Sequence, residues 1–327
     1  MVLPRCDATR FAGVTSEGEK KGKTKRGVVA PLPVRDGVGP SHLWLPEGSW
    51  KDMQTFLADW FVDVDAETWN ARMAKGEVVD ANGVRLNPDS PFKRGVCMFY
   101  YREIEAETPL PFAEQVLYQD EHILVADKPH FLPVIPGGRF LHETLLVRLK
   151  KKLSLEHLVP LHRLDRETAG VVLFSYNPAS RGLYQALFRD RAMEKVYEAL
   201  APSTNRSLQF PLTYRSCIVK GTPFFRMQEG EGEPNSETCI NLLEQHDGIG
   251  RYQLRPVSGK QHQLRVHMAA LGIPIINDGF YPEVKQCKGD DWSHPLKLLA
   301  QSIAFDDPVS GQRRCFESAR TLEEGLP

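Results

Sequence analysis

Apolar residues are sparse before Val28 and then recur in two regular blocks. Residues 1–40 are rich in Gly, Pro and charge, with the run Lys20-Lys21-Gly22-Lys23-Thr24-Lys25-Arg26. They read as a basic arm that becomes an extended lead-in from Val28 to Pro40. Met53, Phe56, Leu57, Trp60 and Phe61 then recur at helical spacing, and residues 67–74 make a second short helix that Gly76 stops. Residues 77–84 read as strand, turn, strand, because Asn82-Gly83 is a hairpin signal, and residues 96–101 read as a further strand. Residues 41–104 are thus expected to form a small domain. The acidic, Pro-containing stretch 105–115 is a linker to a larger domain over 116–327.

In the larger domain Ile123-Leu124-Val125-Ala126 reads as a strand, and residues 142–153 as a helix through Leu145, Leu146 and Leu149. The apolar run Val171-Val172-Leu173-Phe174 is a strand. Residues 178–191 place Leu183, Leu187 and Phe188 on one helical face, and residues 193–200 alternate as a strand. Gly and Pro between short strands in 203–235 suggest a hairpin or an insertion. Residues 238–243 and 251–257 are sheet strands. Ser258 with Gln261 fits an S-x-x-Q capping box that opens a helix. Leu264, Met268 and Leu271 form its apolar face, and Gly272 with Pro274 ends it. Residues 296–305 read as a closing strand, and the tail from Arg313 is short and polar.

Composition narrows the classes without choosing among them. A chain of 327 residues with 41% apolar and 25% charged content is an ordinary globular protein of two or three domains. No run is long enough for a membrane span, and the first residues lack a leader's apolar core, so a cytoplasmic protein is expected. The six Cys lack C-x-x-C spacing, which argues against zinc and against a disulfide framework. A net charge of −1 is a weak argument against a nucleic-acid partner. Yet residues 139–195 hold eleven Lys and Arg against six Asp and Glu, enough for a local basic surface. Walker, H-E-x-x-H and G-x-G-x-x-G motifs are absent, so side chains alone are expected to do the chemistry, with no cofactor and no metal.

The densest chemistry is His162-Arg163-Leu164-Asp165-Arg166-Glu167-Thr168-Ala169-Gly170. Arg163 and Arg166 flank one carboxylate, and a Gly opens the strand that follows. The flanking cations hold Asp165 ionised and attract anions. An R-x-D-R stretch by itself reads as a loop ion pair. The whole stretch, however, resembles the H-R-L-D-R-x-[TS]-[SA]-G signature of the RluA family of RNA pseudouridine synthases, with Ala169 where Ser is commoner. Three further stretches resemble the family in the same order. Lys128-Pro129 with Val134 resembles K-P-x-G-[LM]-x-V, with Phe131 in the Gly place. Glu194-Lys195-Val196-Tyr197-Glu198-Ala199-Leu200 resembles E-K-x-Y-x-A-L. Ser258 to His267 resembles [TS]-G-[RK]-x-H-Q-[IL]-R-V-H, and Pro274 to Tyr281 continues as P-[IL]-x-x-D-x-x-Y. Residues 49–104 loosely resemble an S4 RNA-binding domain, with few basic residues on the second helix.

The resemblance implies an α+β pseudouridine synthase fold, a mixed and largely antiparallel sheet with flanking helices. It implies isomerisation of uridine in ribosomal or transfer RNA, in a stem-loop, by a monomer. Asp165 would be the essential carboxylate and Arg265 its partner, lowering its pKa and fixing its orientation. Tyr197 would stack on the uracil and assist removal of the C5 proton. Arg163 would fill the gap left by the flipped base. His162 reads as an acid, a base or an orienting residue. Lys128, His162, Arg166, Lys260 and His262 are candidate RNA contacts. Two other readings are an inactive RNA-binding protein of the same fold and a hydrolase using Asp165 with His162.

Overall fold

The computed structural model describes residues 29–102, 107–203, 208–285 and 291–322. The basic run at 20–26 lies outside the described residues. The chain folds as two units. One holds the residues up to Glu107 together with Pro136–His142, and the other Thr108–Ile135 with Glu143–Pro327.

In the first unit β1 (Ser41–Trp44) is followed by helices α1 (Met53–Trp60) and α2 (Ala66–Ala74), then by β2 (Val78–Asp80) and β3 (Cys97–Tyr100). Each helix starts where an Asp accepts an orphan backbone N–H. Asp52 accepts from Thr55 and Asp65 from Thr68. The strands pair in the order β1-β3-β2 and cover a core of Met53, Phe56, Leu57, Trp69, Met73, Val78 and Met98. The Asn82-Gly83 turn forms because Asp80 Oδ1 accepts from the amides of Asn82 and Val84, with Gly83 left-handed at φ +79°. Its second limb is shorter than the sequence suggests: beyond the turn a single bridge joins Arg85 to Val79.

The second unit carries β4 (Gln115–Gln119), β5 (Ile123–Lys128), α3 (Leu145–Leu153), β6 (Val159–Pro160), β7 (Ala169–Ser175) and α4 (Arg181–Arg189). It continues with β8 (Glu194–Pro202), β9 (Leu212–Lys220), β10 (Met227–Gly230), β11 (Ser236–His246) and β12 (Ile249–Pro256). Helix α5 (Gln263–Ala270), β13 (Leu298–Asp306) and β14 (Arg313–Glu317) complete it. One sheet runs β10-β9-β11-β12-β8-β13-β7-β5-β4. Among the described residues β7 and β13 make its one parallel pairing. The fold class is thus the mixed, largely antiparallel α+β expected. Within the 203–235 segment, residues 212–230 form the β9–β10 hairpin.

Two cores flank the middle of this sheet. Leu264, Met268 and Leu271 of the α5 region pack on Ala199, Ile240, Tyr252 and Leu254. Tyr184 of α4 packs with Ile123, Val125, Val171, Leu173 and Phe305. Gly170 permits the parallel contact at the centre. It sits at φ +116°, and a Cβ there would lie 2.2 Å from the carbonyl oxygen of Ala300.

One expectation fails here for a local reason. Helix α5 begins at Gln263, after His262 in the left-handed region at φ 53°, so residues 258–261 are not its first turn. Ser258 does not cap. Its hydroxyl accepts from Glu237 N–H and pairs with the Gln263 side chain, which also donates to Glu237 O and Thr238 Oγ1. Ser258 and Gln263 together tie the helix start to β11. Within the polar tail, Arg313–Glu317 form β14, an edge strand on β13 whose side chains alternate between exposed and partly buried. Among the described residues no helix is long and apolar enough to cross a membrane.

Candidate active site

The His162–Gly170 loop enters β7 at the point where β7 meets β13. The loop is strapped at both ends. Leu173 N–H donates to His162 Nε2 at 3.1 Å and Leu161 N–H to Leu173 O, while Thr168 N–H donates back to Asp165 O. His162 also stacks on Phe188. Burial, with Lys195 nearby, pushes His162 down to about 3, so it is a neutral imidazole whose Nε2 is occupied. His162 thus orients the loop as a neutral ring and brings no charge to a phosphate.

Asp165 stands on this loop with its side chain 26% exposed. Arg265 of α5 reaches one of its oxygens, Nη1 to Oδ2 at 3.3 Å. Asp165, however, is not the principal partner of Arg265. The guanidinium donates Nε–H to Asp278 Oδ2 at 2.8 Å and Nη2–H to Asp278 Oδ1 at 2.7 Å, a bidentate pair with side chains 1% and 0% exposed. Burial opposes the Arg265 charge, but the Asp278 bonds and then the Asp165 and Glu167 carboxylates raise its pKa above the usual guanidinium value. Asp278 is fixed in turn by the amides of Phe280 and Tyr281, and the rings of Phe280 and Tyr281 lie against the guanidinium. Asp278 gives no periodic signal in the sequence. It lay in the P-I-I-N-D-G-F-Y stretch, and only the fold shows its bond to Arg265.

Three of the candidate RNA contacts need correction. Besides His162, Lys128 is fully buried, and its Nζ donates to Pro129 O, Leu132 O and Arg166 O. Those three bonds exhaust the ammonium, so it cannot meet a phosphate. Burial drives it down to about 7 against the pull of Glu167 and Asp165. His262 is buried as well. Its Nδ1 lies 2.9 Å from the Tyr281 hydroxyl and its Nε2 3.7 Å from Asp165 Oδ2. Burial lowers its pKa although Asp165 favours the charged form. Arg163 and Lys260 are exposed, and Arg166 is partly exposed beside Glu167.

Tyr197 of β8 packs against the core beneath α5, and its hydroxyl has no hydrogen-bond partner among the described residues. Burial, then the Asp165 charge, pushes its pKa well above the usual phenol value, so the hydroxyl stays protonated at neutral pH. The site is therefore a partly exposed carboxylate held by a buried Arg–Asp pair, with a neutral phenol whose ionisation responds to it. It can present a negative oxygen to an electrophilic or acidic carbon, with the rest of the carboxylate fixed.

Comparison with known proteins finds relatives of the chain. A family model for RNA pseudouridylate synthase matches residues 122–270. The chain is 33% identical over 210 residues to the dual-specificity RNA pseudouridine synthase RluA of Salmonella typhimurium, covering 62% of this chain and 91% of that one. It is 27% identical over 234 residues to an uncharacterized RNA pseudouridine synthase of Synechocystis sp., covering 70% of this chain and 79% of the relative. With human pseudouridylate synthase RPUSD2 it shares 35% identity over 177 residues, 52% of this chain but 31% of that longer protein. Among solved structures, human RNA pseudouridylate synthase domain containing 1 superposes with a TM-score of 0.53 at 24% identity, over 66% of this chain and 86% of that one.

Proposed function

The chain belongs to the RluA-type family of RNA pseudouridine synthases, isomerases that convert uridine to pseudouridine, and from that premise we propose that Asp165 is the carboxylate on which the reaction turns. The reaction breaks the bond from ribose C1′ to uracil N1 and forms one from C1′ to C5. The C5 proton leaves and N1 gains a proton, so no electrons are exchanged with a cofactor. Attack on the sugar, attack on the base and abstraction of a sugar proton all draw on one ionised oxygen. The observation that carries the reading is the partly exposed Asp165, with Oδ2 held by Arg265 and Oδ1 without a partner among the described residues.

In this reading Tyr197 stacks on the uracil, and its hydroxyl relays the C5 proton, taking it up as the phenol's own proton passes to the neighbouring Asp165 carboxylate or to water. Arg265 holds Asp165 through the anchor it makes with Asp278. Arg163, exposed on the loop, enters the gap left by the flipped base and offsets an unstacking cost of a few kcal/mol. The substrate is a stem-loop uridine of ribosomal or transfer RNA. Residues 41–104 act as an S4-like RNA-binding domain joined by a linker at 105–115 to the synthase domain.

The test uses RNA tritiated at uracil C5. Isomerisation releases tritium to water, binding alone releases none, and hydrolysis yields free base or cut chains. Asp165→Asn keeps the shape and loses the charge, so tritium release is expected to stop while filter binding of RNA persists. Release within about tenfold of wild type would remove Asp165 from the essential role.

A further inference from the structure

Two groups converge on the same oxygen of Asp165. Arg265 Nη1 lies 3.3 Å from Oδ2, and His262 Nε2 lies 3.7 Å from that oxygen. Oδ1 has no partner among the described residues. His262 is 6% exposed and sits at the turn before α5, with Phe280 tilted against its ring. Its other nitrogen meets the Tyr281 hydroxyl at 2.9 Å. That hydroxyl is pinned from outside the site: Met227 N–H of β10 donates to it at 2.8 Å, and Met227 O lies 3.0 Å away.

The Tyr281 hydroxyl has one proton and two acceptors to choose from, Met227 O and His262 Nδ1. The neighbouring carboxylate decides between them. If His262 donated from Nδ1, a neutral ring would turn its Nε2 lone pair toward Asp165, which is repulsive. If Tyr281 donates to Nδ1, the ring proton sits on Nε2 and points at Oδ2. The order is then Met227 N–H to Tyr281 O, Tyr281 O–H to His262 Nδ1, and His262 Nε2–H toward Asp165. At 3.7 Å the last step is an electrostatic contact, of a kind that tightens when substrate fills a site.

We propose that His262 is a positioning residue that, with its tautomer set by Tyr281, joins Arg265 in pinning Oδ2 of Asp165 and so leaves Oδ1 as the oxygen that reacts. The assignment rests on the reading of Asp165 as the reacting carboxylate. It also gives Tyr281 and the β10 backbone a part in catalysis that no contact with substrate requires.

The backbone at His262 allows a discriminating test. At φ 53° the residue lies in the left-handed region, where Asn is favoured and Gln is not. A purely structural role therefore makes His262→Asn the milder change. The proposal makes it the harsher one. A Gln amide nitrogen can reach the place of Nε2 and donate to Oδ2, and an Asn amide is too short.

Single-turnover tritium release and RNA affinity are measured for wild type, His262→Gln, His262→Asn, Tyr281→Phe and the double variant His262→Asn/Tyr281→Phe, with Asp165→Asn as control. Loss of orientation is expected to slow His262→Asn by about 10²-fold with RNA affinity unchanged, and His262→Gln to recover most of the rate. Tyr281→Phe is expected to slow in the same sense, and the double variant to be no slower than His262→Asn, because both act through one contact. His262→Asn matching or exceeding His262→Gln, additive losses in the double variant, or losses confined to RNA affinity would overturn the assignment. If His262→Asn fails to fold, Tyr281→Phe with His262→Gln decides: a wild-type rate in Tyr281→Phe overturns it, and a slowed rate at unchanged affinity supports it. Turnover by the Asp165→Asn control would instead overturn the reading beneath it.

Discussion

The buried Arg265–Asp278 pair sets the consequences of substitution at this site. Removing Arg265 leaves Asp278, which has no exposure, as an uncompensated charge, and breaking such pairs costs about 3–5 kcal/mol. Arg265→Ala is thus expected to lose that much stability in urea unfolding, as well as activity. An unchanged unfolding midpoint would mean that Asp278 is not held by Arg265 in solution. Asp165 is a quarter exposed and is expected to tolerate Asn with little change in stability. Tyr197 separates two roles within one side chain. Tyr197→Phe keeps the ring, so RNA affinity is expected to hold. It loses the hydroxyl, and acid–base assistance is typically worth ~10²–10⁴-fold. Because burial and Asp165 keep the phenol protonated, no rise or fall of rate near neutral pH is expected to trace to Tyr197. Wild-type single-turnover rates in Tyr197→Phe would leave it as a packing residue.

Lys128 shows how one residue joins elements. It closes β5, and its ammonium ties the Pro129–Leu132 turn to Arg166 of the Asp165 loop. With a folded pKa of about 7 against an ordinary 10.5, the lysine releases its proton in the folded protein while the unfolded chain still holds it. Through that window raising the pH stabilises the folded state; below 7 the burial penalty is fully in force. Lys128→Met keeps the bulk and strands three carbonyls, so it is expected to be destabilised. The gap between wild type and variant is expected to widen from about pH 6 to about pH 9. A gap constant across that range in urea unfolding would show that Lys128 does not titrate there. This lysine also marks where the sequence stopped being readable. Lys128, Tyr197 and Arg265 were found by pattern, but a Lys beside a Pro reads as a surface cation until the sheet shows β5 buried along its whole length. Phe131 was legible as a departure from Gly, and its φ of 65° shows that the backbone there is left-handed all the same. The bond of Asp278 to Arg265 and the true start of α5 were not legible, because each depends on a pairing that only the fold makes: Asp278 with Arg265 for the first and Gln263 with Glu237 of β11 for the second.

The division of the chain into units fixes what a truncation can ask. The boundary falls at Glu107, close to the linker predicted from sequence, but Pro136–His142 belongs with the first unit although it lies within the span of the second. Within that unit Leu141 and His142 donate their amides to Glu107, and Arg102 donates to Gly138 O. Removing residues 1–107 therefore takes away the partners of 136–142 as well as the proposed RNA-binding domain, and the unfolding curve of 108–327 must be measured beside its binding. If residues 41–104 deliver substrate mainly through phosphates, the truncated chain is expected to bind RNA more weakly at low salt. Each phosphate contact steepens the salt dependence, with log K falling by about 0.7–0.9 per contact against log salt. The advantage of the full chain is then expected to shrink as salt rises, while tritium release by the truncated chain persists at high RNA concentration. A folded 108–327 that binds RNA as tightly as the full chain across the salt series would make the first unit a packing domain without a part in substrate capture.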